Sequence, residues 1–292
     1  MLRVVIRHST MKNLKLLLTA MVCSGLVWAS EPSILDVSPH AIASFKTIFQ
    51  KNQESLDLIS NGGSFIEKGK FVGSSQFEVR DPRPLRGGIL IWMGEGRGTK
   101  NNEIFSLDLN GVTITPQEKK IEEGDRYVYA CWANVTKHFL KSEKFKIKMK
   151  PVSNLTPPYQ GAGWSLFLIY EDPKKPKGNM YIKWGLHKLQ PGEIYEFPLI
   201  SPLRNHKINR VVIIGGHGQK ENGSGNALNG ETLSIGDDWN GSSGELWDVD
   251  EYDVSFFKKE AFTMDKGITL TIDPLLQWLF PVGFVVKTEN KK

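Results

Sequence analysis

Residues 237–253 hold the densest set of side chains that could bind a ligand. Five aspartates alternate with two tryptophans there: Asp237, Asp238, Asp248, Asp250 and Asp253, with Trp239 and Trp247. Carboxylates are ligands that calcium prefers, so the aspartates are candidate calcium ligands, although their spacing is not that of an EF-hand. An indole ring can stack on a sugar, so the tryptophans are candidate glycan contacts. Solvated loop aspartates, and tryptophans that pin the loop onto the domain, are the alternatives.

Residues of catalytic type show no catalytic spacing. The five histidines after residue 30 stand far apart and form no HExxH pair: His40, His138, His187, His206 and His217. Ser165 follows Gly163-Trp164 but lacks the second glycine of a nucleophile elbow, so we expect a packing role. No two carboxylates stand out as the acid and base of a glycosidase. The sequence therefore predicts a protein that is not an enzyme.

Two glycine-rich segments resemble phosphate-binding loops without the helix that such loops need. Residues 94–98 read GEGRG and residues 215–218 read GGHG, each after a strand-like run. Neither runs into a helical pattern, and a phosphate would have no helix N-terminus to bind. We therefore predict that both are β-turn loops.

The N-terminus has the pattern of a secretory signal peptide. Lys12 and Lys15 precede an apolar run, and Val27-Trp28-Ala29 supplies the small-x-small site of signal peptidase. The charged region begins at Met11, which suggests that Met11 is the true start. This predicts a signal peptide over residues 1–29, no transmembrane anchor after cleavage, and export to the periplasm or the secreted space.

Export changes the charge and the redox arguments. Four basic residues and no acid leave with residues 1–29, so 33 basic and 32 acidic residues remain and the net charge falls from +5 to +1. A near-neutral protein gives no support for nucleic-acid binding. Cys131 is then the one cysteine left, so no internal disulfide can form. Its apolar neighbours predict a buried strand residue.

The rest of the chain reads as short strands. Residues 164–170 are apolar and β-favouring between glycines and Glu171-Asp172-Pro173, which predicts a central strand buried on both faces. Alternating runs on either side of Asn110-Gly111 predict a β-hairpin. Lysines alternate with apolar residues over 144–150, which indicates a solvated outer face or an edge strand.

These elements predict an all-β fold, an antiparallel β-sandwich of jelly-roll type. Residues 30–70 are expected to form an N-terminal extension with one amphipathic helix, because Ala41, Ile42, Phe45, Ile48 and Phe49 recur at helical spacing. Residues 71–292 are expected to form the sandwich. Two packed lobes with a boundary near 171–178 would explain the exposed turn sequence there.

Four motifs, in order, are similar to those of an uncharacterised secreted β-sandwich module that recurs in bacterial and archaeal surface proteins. They are a tryptophan strand at residues 90–92, ANVT at 133–136, GWSL…YEDP at 163–173 and WDVDEYDVS at 247–255. Asn134 stands where the module has aspartate. The resemblance implies an extracytoplasmic, non-catalytic module without an established activity.

Together these features predict a non-enzymatic exported protein of the cell envelope or secreted space, with a structural or adhesive role. Its partner would be an envelope component, a surface glycan or a protein. A carbohydrate-binding module, with or without calcium, is the alternative. A polysaccharide-active enzyme whose carboxylates meet only in three dimensions is the third reading.

Overall fold

The computed structural model describes residues 40–41, 45–97, 105–123, 126–139, 143–149, 161–219, 223–233, 238–254 and 267–290, all within one unit, Pro39–Lys292. The first eleven strands in chain order are β1 His40–Ala41, β2 Lys46–Glu54, β3 Leu56–Ser64, β4 Ile66–Glu67, β5 Lys70–Phe71, β6 Ser74–Val79, β7 Leu85–Arg97, β8 Leu107–Leu109, β9 Val112–Ile114, β10 Glu118–Glu122 and β11 Arg126–Asn134. The other ten are β12 Glu143–Met149, β13 Gly163–Glu171, β14 Gly178–Trp184, β15 Tyr195–Ile200, β16 His206–Gly216, β17 Gly225–Leu228, β18 Glu231–Thr232, β19 Trp247–Asp253, β20 Ile268–Asp273 and β21 Phe280–Asn290. A short 3-10 turn, Thr136–His138, follows β11.

The strands form four larger sheets and the small β4–β5 hairpin. We name the sheets by position: outer sheet 1 has the order β6-β12-β8-β9, and inner sheet 1 the order β10-β11-β7-β13-β3. Inner sheet 2 has the order β19-β16-β21-β14-β2, and outer sheet 2 the order β1-β15-β20-β17-β18. The described pairings are antiparallel except that of β1 with β15. The predicted all-β fold is confirmed.

Three hydrophobic cores separate these sheets. Core 1 lies between the two sheets numbered 1, which form lobe 1, and core 2 between the two sheets numbered 2, which form lobe 2. A middle core joins inner sheet 1 to inner sheet 2. Both inner sheets are therefore buried on both faces, which explains why their strands are almost continuously apolar rather than alternating. The chain passes from inner sheet 1 to inner sheet 2 across residues 172–177.

Strand β13 is the central strand that the sequence predicts. It lies between β3 and β7, and eight of its nine residues are buried. Trp164 and Leu166 point into core 1, whereas Phe167 and Ile169 point into the middle core. The absence of alternation in GWSLFLIYE thus reflects two apolar environments.

The predicted N-terminal helix is wrong. Residues 46–54 are strand β2, which pairs with β14 at the edge of inner sheet 2. The register of this pair shifts at two places. One shift is at Ile48, which lies between the paired residues Phe49 and Thr47, and the other is near Lys51. Such bulges interrupt the two-residue period, so the apolar residues fall at spacings that imitate a helix. The predicted helical residue Ile42 lies outside the described residues.

Two local predictions are confirmed. β8 and β9 form the hairpin through Asn110 and Gly111, whose φ angles are +49° and +83°, as a type I′ turn requires. β12 lies inside outer sheet 1 with Phe145 and Ile147 buried and Lys146 and Lys148 exposed. The lysines therefore cover a solvated outer face rather than protect an edge.

Residues 94–97 and 215–216 of the two glycine-rich segments lie in strands rather than in the predicted turns, while His217 and Gly218 follow the end of β16. Gly94 and Gly96 belong to β7, and a Cβ on Gly96 would lie 1.8 Å from the Tyr127 ring. Gly215 and Gly216 end β16, where a Cβ on Gly215 would lie 2.5 Å from the Trp239 ring. These glycines make room for aromatic side chains on neighbouring segments, which a pattern of turn residues cannot reveal.

The described residues contain no helix long and apolar enough to span a membrane.

Candidate functional site

Strand β19 carries an unusual polar face. It is an edge strand of inner sheet 2 and pairs with β16, with Asp248 opposite Gly215 and Asp250 opposite Ile213. Because side chains alternate along a strand, Trp247 and Val249 face the middle core, while Asp248 and Asp250 lie on the opposite face, on the side of core 2. The sequence WDVD thus places two carboxylates, two residues apart, on one side of the strand.

Asp248 holds the preceding turn in place. Its side chain is 1% exposed, and its Oδ1 atom accepts hydrogen bonds from the backbone N–H groups of Gly241 at 2.6 Å and Ser242 at 3.1 Å. A Cβ on Gly218 would lie 1.8 Å from the Asp248 Oδ2 atom, so only glycine fits at that position. The carboxylate therefore works as a cap for the 241–242 backbone.

Asp238 and Asn226 extend this network towards outer sheet 2. Asp238 Oδ2 accepts a hydrogen bond from the Asn226 backbone N–H at 2.6 Å. The Asn226 side chain accepts from Trp239 Nε1 at 3.0 Å and donates to the Tyr252 hydroxyl at 3.1 Å. Asn226 thereby links a loop tryptophan, β17 and β19.

Asp238, Asp248 and Asp250 form what we name the β19 acidic cluster. The pKa of Asp250 is raised to about 8, chiefly by burial and also by the charges of Asp248 and Asp238, while a hydrogen bond with Ser242 offsets part of the rise. Burial also raises the pKa of Tyr252, and the charges of Asp250 and Asp238 add to the rise. The Asp250 carboxyl therefore keeps its proton near neutral pH.

Both candidate tryptophans are completely buried. The Trp247 indole crosses the middle core, where its Nε1 donates to Ser165 Oγ at 3.2 Å and its ring covers Gly163. A Cβ on Gly163 would lie 2.3 Å from the indole Cδ2. Trp239 packs in core 2 against Gly215. Neither ring leaves a face for a sugar, so their geometry favours the pinning role.

The five candidate calcium ligands do not all converge. Asp238, Asp248 and Asp250 interact, whereas Asp253 lies at the exposed end of β19 on its opposite face. Asp237 lies outside the described residues. In the part of the chain that the structure describes, no three His, Cys, Asp or Glu side chains are placed to share a metal ion. Calcium binding stays a prediction.

A second carboxylate group, which the sequence reading missed, surrounds Arg83. We name it the Arg83 cluster: the guanidinium donates to Asp57 at 2.7 Å, Asp172 at 2.8 Å and Asp81 at 2.6 Å, and its carbon lies 5.4 Å from the centre of the Tyr170 ring. Burial opposes ionisation of Asp57, but Arg83 and Lys175 outweigh it and lower its pKa. Arg83 itself is the main cause of the lowered pKa of Asp81.

The Arg83 cluster ties together the places where the chain passes between lobes. Asp57 is the second residue of β3, just after β2 of lobe 2, and Asp172 begins the 172–177 turn to β14. The backbone N–H of Asp172 also donates to the Ser55 carbonyl at 2.9 Å. The motif YEDP could have pointed to Asp172 as a site residue, because the motif ends in a charged turn. No sequence pattern marked its partner Arg83, which is distant in sequence.

No family model and no curated protein matches this chain. Among solved structures, a chain from the atomic structure of Sulfolobus Turreted Icosahedral Virus is similar at 7% identity with a TM-score of 0.26, over 81% of this chain and 91% of that one. A chain from the structure of the Sputnik virophage is similar at 8% identity with a TM-score of 0.21, over 90% of each chain. Similarity at these TM-scores carries no argument about function.

Proposed function

We propose that the protein is a non-enzymatic exported protein of the cell envelope or secreted space, with a structural or adhesive role. The predicted signal peptide supports export. The resemblance to the secreted β-sandwich module supports a non-catalytic role.

The placement of the candidate ligand residues carries this proposal. Trp247 and Asp248 belong to the most distinctive motif of the sequence, and each is at most 1% exposed. The tryptophan packs between the lobes, and the carboxylate caps a turn. Both side chains therefore serve the fold.

The lone cysteine after the signal supports the same reading. Cys131 lies in core 1 with no exposed surface, and burial raises the pKa of its thiol. A protonated, buried thiol is neither a nucleophile nor a crosslinking site.

The alternative roles that the sequence raised gain no support from these residues. A glycan site at Trp239 and Trp247 would need exposed rings, and both are buried. A polysaccharide-active enzyme would need two carboxyls facing each other across a cleft, whereas the β19 acidic cluster is held inside lobe 2 by hydrogen bonds to its own backbone.

Expression of the full chain with a C-terminal tag in a bacterial host tests export. We expect the product in the periplasm or the medium with Ser30 as its first residue. Ala29→Arg, which blocks the cleavage site, is the matched control and should retain residues 1–29. A full-length product in the cytoplasm would contradict the proposal.

Binding assays test the role itself. The chain from Ser30 to Lys292 contains the whole described unit, and we expect it to bind saturably to isolated cell envelopes after labelling. The same chain unfolded by heat is the control. Release of reducing sugar from envelope polysaccharide, or the absence of saturable binding to envelopes, would contradict the proposal. Binding on a glycan array would favour the carbohydrate-binding alternative.

A further inference from the structure

Lobe 2 is open along one side, where its two edge strands face each other. β2 is the edge of inner sheet 2, and in the described residues β1 pairs with β15 at Tyr195 and Glu196. Pro198 follows on β15 and has no N–H with which to recruit another strand. Between these edges lies a cleft of about 530 Å³, which is within the usual range for small-ligand sites.

A lysine is the charged residue among the described residues that line this cleft. Lys183 lies on β14 opposite Thr47 of β2, and its neighbour on the same face is Tyr181. The remaining lining is polar at Gln50, Ser201 and Thr269 and otherwise aliphatic or proline: Pro198, Leu199, Ile200, Pro202, Leu203 and Ile268. A single cation thus stands among apolar walls and neutral hydrogen-bonding groups.

Lys183 lacks an anionic partner within the described part of the chain. Its ammonium donates to the Phe45 backbone carbonyl at 3.5 Å, the outer limit for a hydrogen bond, and no described carboxylate lies within ion-pair distance. Burial lowers the pKa of Lys183, so its surroundings disfavour an unpaired charge. Other half-buried cations of the chain, such as Arg83 and Arg210, have carboxylate partners.

We propose that the cleft between β2–β14 and β15–β20, which we name the Lys183 cleft, binds a small carboxylate whose anionic group contacts the Lys183 ammonium. The carboxylate would supply the missing counter-charge in a partly desolvated place, where a charge-assisted hydrogen bond is strong. The aliphatic and proline walls would cover the body of the ligand, and Thr47, Gln50 and Ser201 could bond its polar groups. This inference is independent of the structural or adhesive role.

Titration of the chain from Ser30 to Lys292 with two carboxylates and their neutral counterparts tests the proposal. The probes are hexanoate with hexanol, and glucuronate with methyl glucoside, followed by amide chemical shifts. We expect at least one carboxylate to shift the amides of residues 181–183, 199–201 and 203 saturably. Its neutral counterpart should bind about tenfold more weakly or worse, because it lacks the charge. Binding of hexanoate would indicate a ligand with an apolar body, and binding of glucuronate would indicate a sugar acid.

Variants separate Lys183 from general surface charge. Lys183→Met should weaken carboxylate binding about tenfold or more. Lys183→Arg should retain most of it, since the cation remains. Lys146→Met, on the exposed face of β12, makes the same chemical change elsewhere and should leave binding unchanged.

Three results would overturn the proposal: neither carboxylate binds, the neutral compounds bind as tightly, or Lys183→Met binds like the wild type. Thermal unfolding of each variant shows that it is folded. If Lys183→Met does not fold, the salt dependence of carboxylate binding to the wild type decides the question. Binding to an ammonium group must weaken when salt is added, because salt screens the attraction between the charges. Binding that does not change with salt would overturn the proposal.

Discussion

The Arg83 cluster and the β19 acidic cluster each gather three aspartates, yet the two respond to charge in opposite ways. Arg83 lies among its aspartates, and the pKa values of Asp57 and Asp81 fall. Burial, with the acidic neighbours Asp248 and Asp238 adding to it, raises the pKa of Asp250 to about 8. Burial and the sign of the neighbouring charges, rather than the number of carboxylates, therefore set the direction of each pKa shift.

This difference fixes the sign of each cluster's pH dependence. Asp57 and Asp81 have lowered pKa values, so they contribute stability above their unfolded pKa, near 3.8, and lose it as pH falls through their folded values. Asp250 has a raised pKa, so the folded state binds a proton that the unfolded state has lost between about pH 4 and pH 8. Across that window, Asp250 lowers the stability as pH rises.

Removing the cation should have the largest effect. Arg83→Met leaves three partly buried carboxylates without their partner and should lower the free energy of unfolding by about 3 kcal/mol at pH 7. Urea unfolding measures this. Arg86→Met is the control, since Arg86 pairs with Glu171 at an exposed site and should cost less than about 1 kcal/mol. Equal losses of unfolding free energy in the two variants would contradict the larger contribution that we assign to the Arg83 cluster.

Neutralising Asp250 should have the next largest effect, with the opposite sign. In the folded state Asp250 must either bind a proton or place a buried negative charge beside Asp248 and Asp238, and Asp250→Asn removes this cost. The variant should therefore raise the free energy of unfolding by about 2 kcal/mol at pH 8 and change it little at pH 4. Urea unfolding over this pH range is the measurement. Asp253→Asn, at the exposed end of the same strand, should leave the pH profile as it is. A destabilised Asp250→Asn at pH 8 would contradict the raised pKa.

The contact between the two most distinctive motifs should have the smallest effect. Ser165→Ala removes the acceptor of the Trp247 indole N–H inside the middle core and should cost about 1 kcal/mol. Ser75→Ala, on β6, changes the same type of side chain outside that core and serves as the control. An unchanged stability in Ser165→Ala would mean that this hydrogen bond does not help to join the lobes.

Particular residues show why the fold was more predictable than the site. Asn110-Gly111 and the β13 run encode a turn and a buried strand locally, and both predictions are confirmed. Residues 45–49 led to the wrong prediction of a helix because bulges in β2 change the spacing of the apolar residues. Those bulges depend on the pairing with β14, which the local sequence does not show. The sequence also could not show that Trp247 would reach Ser165, or that Arg83 would meet Asp57 and Asp172, because those contacts join distant segments.

The central claim is that the carboxylates of the β19 acidic cluster serve the fold, as the buried Asp248 does when it caps the 241–242 backbone. Thermal unfolding of the chain from Ser30 to Lys292 at pH 8, in EDTA and in millimolar calcium, tests it most directly. We expect the two curves to coincide, with Asp250→Asn more stable than the wild type in both. A rise with calcium, which would reach about 2.7 kcal/mol at 100 times the dissociation constant, and its loss in Asp248→Asn, would contradict the claim and establish a calcium site.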